Sequence, residues 1–220
     1  MKRVFTKKSI VCIFICICVL SVVAVAISSN DTNSLFFKWG ELEKQGAVAY
    51  SESTSLVFQG DTIAVSKQEL DLLTHRHELQ GDDNSADLAK DYLLKREAMY
   101  QIALQNGCTV TDQEVADYID SIKTSFQKAE NYDDFQAFLD GADMTIDEYW
   151  DSQYEVLKKE LVVNQHVQPL QQALWENVNI EAGTEEAQQL WQEEYDRIAE
   201  NYIANDHVVE CSGDESTVVF

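Results

Sequence analysis

The sequence predicts a mainly α-helical protein with a small β-hairpin or sheet, preceded by an N-terminal transmembrane or signal helix. Three observations carry this. A single Pro and 8 Gly in 220 residues are too few breakers for a turn-rich sandwich or barrel. Long stretches place apolar residues at helical spacing, and several open on Ser or Thr with Glu three positions later. Residues 10–27 form an apolar run of 18 residues behind a basic stretch. With 45% apolar residues the chain can bury a core, which excludes global disorder.

Charge narrows the function classes. The formal net charge is −23, yet the first 30 residues hold four bases (Lys2, Arg3, Lys7, Lys8) and no acid. The remainder therefore carries 12 bases against 39 acids, a net of −27. Such a body repels phosphate backbones and anionic lipid surfaces, so nucleic acid is excluded as a partner. The apolar run Ile10–Ile27, interrupted only by Ser21, is long enough to approach the span of a hydrocarbon core of about 30 Å. It exceeds the about 7–15 residues of a usual signal core, whereas Ala24-Val25-Ala26 offers a small-x-small cleavage site. A single-pass anchor and a cleaved signal both stay open. Either puts the acidic body outside the cytoplasm, because the bases precede the apolar run. Cys12, Cys16 and Cys18 lie in that run as small hydrophobes. Cys108 and Cys211 remain as one candidate disulfide or as two free thiols.

Past residue 28 the elements follow in order. Residues 28–54 read as a tether carrying an amphipathic piece, Ser34 to Tyr50, with Leu35, Phe36, Trp39 and Leu42 on one face; Gly40 and Gly46 weaken its helix. Leu56–Gln59 and Thr62–Val65, joined by Gly60-Asp61, make a hairpin signal. Ser66 with Glu69 is a capping box that opens a helix to about Gln80. Ser85 is placed to cap the next, striped by Leu88, Tyr92, Lys95, Met99, Ile102 and Ala103 and stopped at Gly107. Thr111 with Glu114 opens a helix bearing Val115, Tyr118, Ile119, Ile122 and Phe126. A short helix runs from Tyr132 to Leu139 and ends at Gly141. Thr145 with Glu148 opens the longest helix, striped by Ile146, Tyr149, Trp150, Tyr154, Leu157 and Leu161, which Pro169 should end or kink. Thr184 caps a last helix with Leu190, Trp191, Ile198 and Tyr202 inward. His207–Val209 and Thr217–Phe220 are short strand candidates, expected to join the hairpin, since two strands alone are marginal in water.

The order of the hairpin, "TIAVSKQELD", "IALQNGCTVTDQEVADYIDSI" and "MTIDEYWDSQYEVLKKELVVNQHV" resembles the chaperone module of SurA/PrsA-type extracytoplasmic foldases. The likeness covers roughly residues 55–168 and rests on order and spacing, since each motif alone is ordinary helix punctuation. It implies a SurA-N-like helical module over 55–210, with a basic n-region at 1–9, the anchor or signal core at 10–27, the tether at 28–54 and a tail or strand at 211–220. The parvulin-type isomerase domain that such proteins often carry needs about 90–100 residues, an ordinary small-domain size. Only 14 residues separate Pro169 from Thr184 and 13 follow His207, and no Gly-Gly pair exists. Prolyl isomerisation is therefore not expected.

Candidate sites are few. His75 and His77 stand two apart on a helix, so their rings diverge by about 200°, and no Cys or third His lies near in sequence; no metal is expected. Asp82-Asp83 and Asp140–Asp143 lack the ligand pattern of a calcium loop. No nucleophile elbow, Walker loop or dinucleotide fingerprint occurs, so no cofactor and no catalytic residue is assigned. The aromatic stripe alone has functional content. Phe126, Phe135, Phe138, Met144, Tyr149, Trp150 and Tyr154 form either a bundle core or, in part, an exposed groove for apolar segments of unfolded clients. The expected function is an extracytoplasmic chaperone that binds unfolded, newly exported polypeptides and is membrane-attached through its N-terminal helix. An envelope adaptor for one folded partner, or an isomerase with an unrecognisable site, are the alternatives.

Overall fold

The computed structural model describes residues 32–50, 55–129 and 132–211, with side chains omitted at 32–33 and 45–50. The expected anchor or signal at 10–27 and the strand candidate Thr217–Phe220 lie outside these residues. Eight helices and a three-stranded antiparallel sheet are described: α1 (Thr32–Tyr50), β1 (Leu56–Gln59), β2 (Ala64–Ser66), α2 (Lys67–Gln80), α3 (Ser85–Gln105), α4 (Asp112–Phe126), α5 (Tyr132–Ala142), α6 (Ile146–Ser152), α7 (Tyr154–Val178), α8 (Glu185–Asn205) and β3 (Val209–Glu210). Among them no helix is long and apolar enough to cross a membrane.

Local chemistry fixes the boundaries. Ser66, Thr111 and Thr145 each accept from the amide three residues on, and Glu69, Glu114 and Glu148 bond back, so all three capping boxes form. Thr184 caps α8 through the Ala187 amide. Ser85 does not cap; it is the first residue of α3, behind Asn84, and its hydroxyl donates to the Asp82 carbonyl at 2.7 Å. Gly107 stops α3 with φ +78°, its amide on Leu104 and the Cys108 amide on Ala103. The same pair of bonds ends α5 at Ala142, three residues beyond the expected Leu139. Asp143 takes φ 55°, and Asp143 and Met144 donate to Asp140 and Leu139. Gly141 thus lies inside α5.

The long helix departs twice from expectation. It is split at Gln153 into α6 and α7, and α7 runs unbroken through Pro169. Pro169 and Gln165 both lie on an exposed face, so the carbonyl that the ring leaves without a donor belongs to the solvent side of the helix.

The expected third strand forms, but as Val209–Glu210 rather than His207–Val209, because His207 takes φ 53° in the turn that follows α8. β1 pairs with β2 (Phe58↔Val65, Gln59↔Ala64) and with β3 (Phe58↔Glu210, Gln59↔Val209), giving the order β2-β1-β3. Thr62 and Ile63 belong to the turn rather than to the second strand, because Asp206 at the end of α8 captures them. Its carboxylate, on a residue only 5% exposed, accepts from Thr62 N (2.9 Å), Thr62 Oγ1 (2.6 Å) and Ile63 N (2.9 Å). Its carbonyl accepts from Asp61 N. A Cβ at Gly60 would lie 2.0 Å from Asp206 Oδ2, so only glycine fits there.

Three apolar clusters are strung along α7. The sheet, α2, α3 and α8 bury Phe58, Ile63, Val65, Leu73, Leu93, Met99 and Ala199 against Val163 and Val167. Trp175 closes on Ala187 and Trp191, its indole donating to the Ala187 carbonyl at 2.9 Å. The buried face of α3 runs through Ala89, Leu93, Ala98 and Met99, while Leu88 and Tyr92 of the expected stripe are exposed. That helix packs on α2 on one side and on α7 and α8 on the other, so its buried surface is wider than a single stripe. Between α2, α3 and α7 the buried Glu97 accepts from Arg96 and Lys159 (3.1 Å), and Arg96 also donates to Glu69 (2.7 Å).

Candidate functional site

The third cluster is aromatic and lies where α1, α4, α5, α6 and the start of α7 converge. α4 contributes Val115, Ile119 and Ile122 from its amphipathic face. α5 contributes Phe135, Phe138 and Leu139, and α6 contributes Trp150. Phe135 is the hub: its ring stands 4.8 Å from Phe126, 5.2 Å from Tyr149 and 6.2 Å from both Phe138 and Trp150. The contacts with Phe126 and Tyr149 are edge-to-face, the arrangement that ring quadrupoles favour, while Phe138 is stacked on Phe135 and Trp150 is tilted against it.

The structure brings the seven expected residues together, but as a closed cluster rather than an open groove. Phe135, Phe138 and Trp150 are 3–4% exposed. Phe126, Met144, Tyr149 and Tyr154 are half-buried at its margin. The reason is α1. Residues read as a tether form a helix whose Leu35, Phe36 and Trp39 are buried in this cluster, with the Phe36 and Trp39 rings 4.9 Å apart. α1 crosses α5 with the backbones in contact: a Cβ on Gly40 would lie 2.0 Å from the Phe138 carbonyl oxygen, and one on Gly141 2.0 Å from that of Phe37. Beside the cluster lies a shallow depression lined by Leu139, Asp140, Asp143, Met144, Thr145 and Glu148.

The cluster has an unusual polar inventory. Four buried side-chain atoms among the described residues lack a hydrogen-bond partner: Trp39 Nε1, Tyr118 OH, Trp150 Nε1 and Glu160 Oε1. The first three belong to this cluster or pack on it, and Glu160 stands on α7 between Leu157 and Leu161, which also touch it. Burial alone pushes the Glu160 carboxyl up to about 7 and the Tyr118 hydroxyl up to about 12. Tyr149 is pushed up to about 12, chiefly by burial, despite the nearby Arg76. At the rim, Arg76 pairs with Glu43, Lys44 with Asp143 (2.8 Å), and Asp112 accepts from Tyr154 (2.9 Å) and Lys158 (3.2 Å).

Other candidates fall away from one another. His75 Nδ1 meets its own helix at the Asp71 carbonyl, and His77 Nδ1 meets Asp82. No metal-holding group of His, Cys, Asp or Glu occurs among the described residues. Cys108 and Cys211 do not form the candidate disulfide; both are half-buried free thiols, one fixed by the end of α3 and the other by its amide bond to Val57 beside β3. Sequence reasoning missed the part α1 plays, although its Leu35, Phe36 and Trp39 stripe was visible. No family model, no curated protein and no solved structure matches this chain.

Proposed function

We propose that the acidic body is an extracytoplasmic polypeptide-holding module, a chaperone without chemistry that binds apolar segments of exported chains, attached to or released from the membrane by its N-terminal run. One observation carries this reading. The four buried polar atoms without partners all sit in or beside one aromatic cluster, while Asp206, Glu97 and Trp175 elsewhere are bonded. Buried polar groups without partners each cost about 1–3 kcal/mol, and the three hydrogen-bond donors among them, Trp39 Nε1, Trp150 Nε1 and Tyr118 OH, would be satisfied by a ligand that supplies acceptors once the cluster opens. A polypeptide does so through its carbonyls, and the surrounding rings accept its apolar side chains without demanding a sequence.

Electrostatics and topology support the same reading. The net charge of −23 keeps such a binder soluble and draws basic clients, and the bases before residue 10 favour export of the chain beyond the apolar run. The resemblance to SurA/PrsA-type foldases points in the same direction. Residues 28–220 should suppress aggregation of a reduced, unfolded client at near-stoichiometric ratio, read by light scattering. No suppression at tenfold excess refutes the reading. Prolyl-peptide isomerisation should stay at background, and crosslinking in cells should capture many exported chains. One dominant folded partner would instead mark an adaptor.

A further inference from the structure

α1 carries chemistry beyond that of a structural helix. It contains two glycines in 19 residues, Gly40 and Gly46, each of which weakens an isolated helix. Among the described residues its backbone runs closest to α5 and α2, and it pairs with no strand. Its buried Trp39, 1% exposed, finds no acceptor for the indole N–H among the described residues. A helix of this composition is held by the surface it lies on. That surface is a groove: the Phe138–Ala142 ridge of α5 on one side, Leu79 and Arg76 of α2 on the other, with the aromatic cluster as its floor.

Resting on the polypeptide-holding reading above, we infer that α1 is the resident occupant of a helix-binding groove, and that the groove's partners are amphipathic helical segments of exported chains built as α1 is. The seated helix defines the partner. It presents apolar anchors at Leu35, Phe36 and Trp39, then Gly40 where it meets the α5 backbone, then an acid and a base, Glu43 and Lys44, opposite Arg76 and Asp143. The close crossing sets the specificity, since any side chain in place of Gly40 would strike the Phe138 carbonyl and the Ala142 amide (2.5 Å). Recognition is of the helix-in-groove kind, and a client competes with α1 at the high local concentration that covalent attachment gives it.

The substitution Gly40→Leu evicts α1 and leaves the groove walls unaltered. The experiment uses the full chain in lipid nanodiscs, with empty nanodiscs as control, and a fluorescein-labelled peptide of residues 32–50. The peptide should bind the Gly40→Leu chain saturably and at least tenfold more tightly than the unaltered chain, by anisotropy, and a peptide itself bearing Gly40→Leu should bind neither. No binding to the variant, or equal binding to both chains, overturns the inference. If the variant loses its cooperative unfolding, hydrogen exchange of the unaltered chain decides: α1 amides should exchange at least tenfold faster than those of α3, and equal rates overturn the inference. The aggregation assay on the same variant separates the two readings. Peptide binding without client holding supports the groove and refutes the chaperone reading, whereas client holding without peptide binding overturns the groove.

Discussion

Glu160 is a carboxyl on α7 with one oxygen buried and unpartnered, and replacing it by Gln isolates what that costs the fold. Burial raises its pKa from an ordinary 4.5 to about 7, and no neighbouring charge contributes. The charges on the packed helices are engaged elsewhere, Glu97 with Arg96 and Lys159, Asp112 with Tyr154 and Lys158. The folded chain therefore keeps a proton that the unfolded chain has lost. The sign comes from linkage: this contribution is fully present below pH 4.5 and is lost as pH rises through about 7. At about 1.4 kcal/mol per pH unit, the gap between 4.5 and about 7 amounts to about 3 kcal/mol. Glu160→Gln has no proton to lose. In urea unfolding of residues 28–220, followed by tryptophan fluorescence, the variant should match the parent near pH 4. It should exceed the parent by about 3 kcal/mol at pH 8, with the difference opening between those limits. All other carboxyls are common to both proteins, so the difference belongs to this one. A difference that stays constant from pH 4 to pH 8 would refute the reasoning.

Three further substitutions test the frame. Asp206→Ala strips the acceptor from Thr62 N and Ile63 N, and should lower stability by about 3 kcal/mol with an unchanged urea slope; a loss under about 1 kcal/mol would mean that the turn holds itself. Pro169→Ala restores an amide inside α7 and should raise stability by about 1–2 kcal/mol, so a loss would show that the ring packs on something. Trp175→Phe keeps the apolar contact but removes the bond to the Ala187 carbonyl, and should cost about 1 kcal/mol by the same urea titration; no loss would make that bond dispensable.

The legible part of the sequence is local. The three capping boxes, the Gly107 stop, the Thr184 cap and the Val115–Ile119–Ile122 face depend on residues within one or two turns of each other, and all appear in the fold. The hidden part is set by partners far along the chain. Gly141 reads as a helix stop, since glycine disfavours helices, but here it admits the Phe37 carbonyl from more than a hundred residues earlier. Thr62 and Ile63 read as strand, being β-branched, but Asp206 bends them into a turn across 144 and 143 positions. The aromatic stripe was legible as a set of residues. Whether it faces solvent was not, because that is decided by α1, whose two glycines made it look like a tether.

The same contrast bears on where the molecule can open. The cluster around the sheet and α8 joins distant elements through bonded polar groups: Asp206 to the hairpin turn, Glu97 to Lys159, and Lys95 to Asp91 and Asp196, whose carboxylates hold its pKa above the ordinary lysine value despite desolvation. Among the described residues the aromatic cluster shows no such ties at its centre, and Trp39 and Trp150 within it and Tyr118 against it keep unpartnered polar atoms. Its apolar area favours closure, and each orphaned donor takes back part of that gain. Local opening free energies track that balance, and the element whose departure relieves the most at the least cost in backbone bonding is a terminal helix outside the sheet. Among the described elements α1 meets that condition: it pairs with no strand, and its departure would expose Trp39 to water while the pairing of β1 with β2 and β3 stays intact.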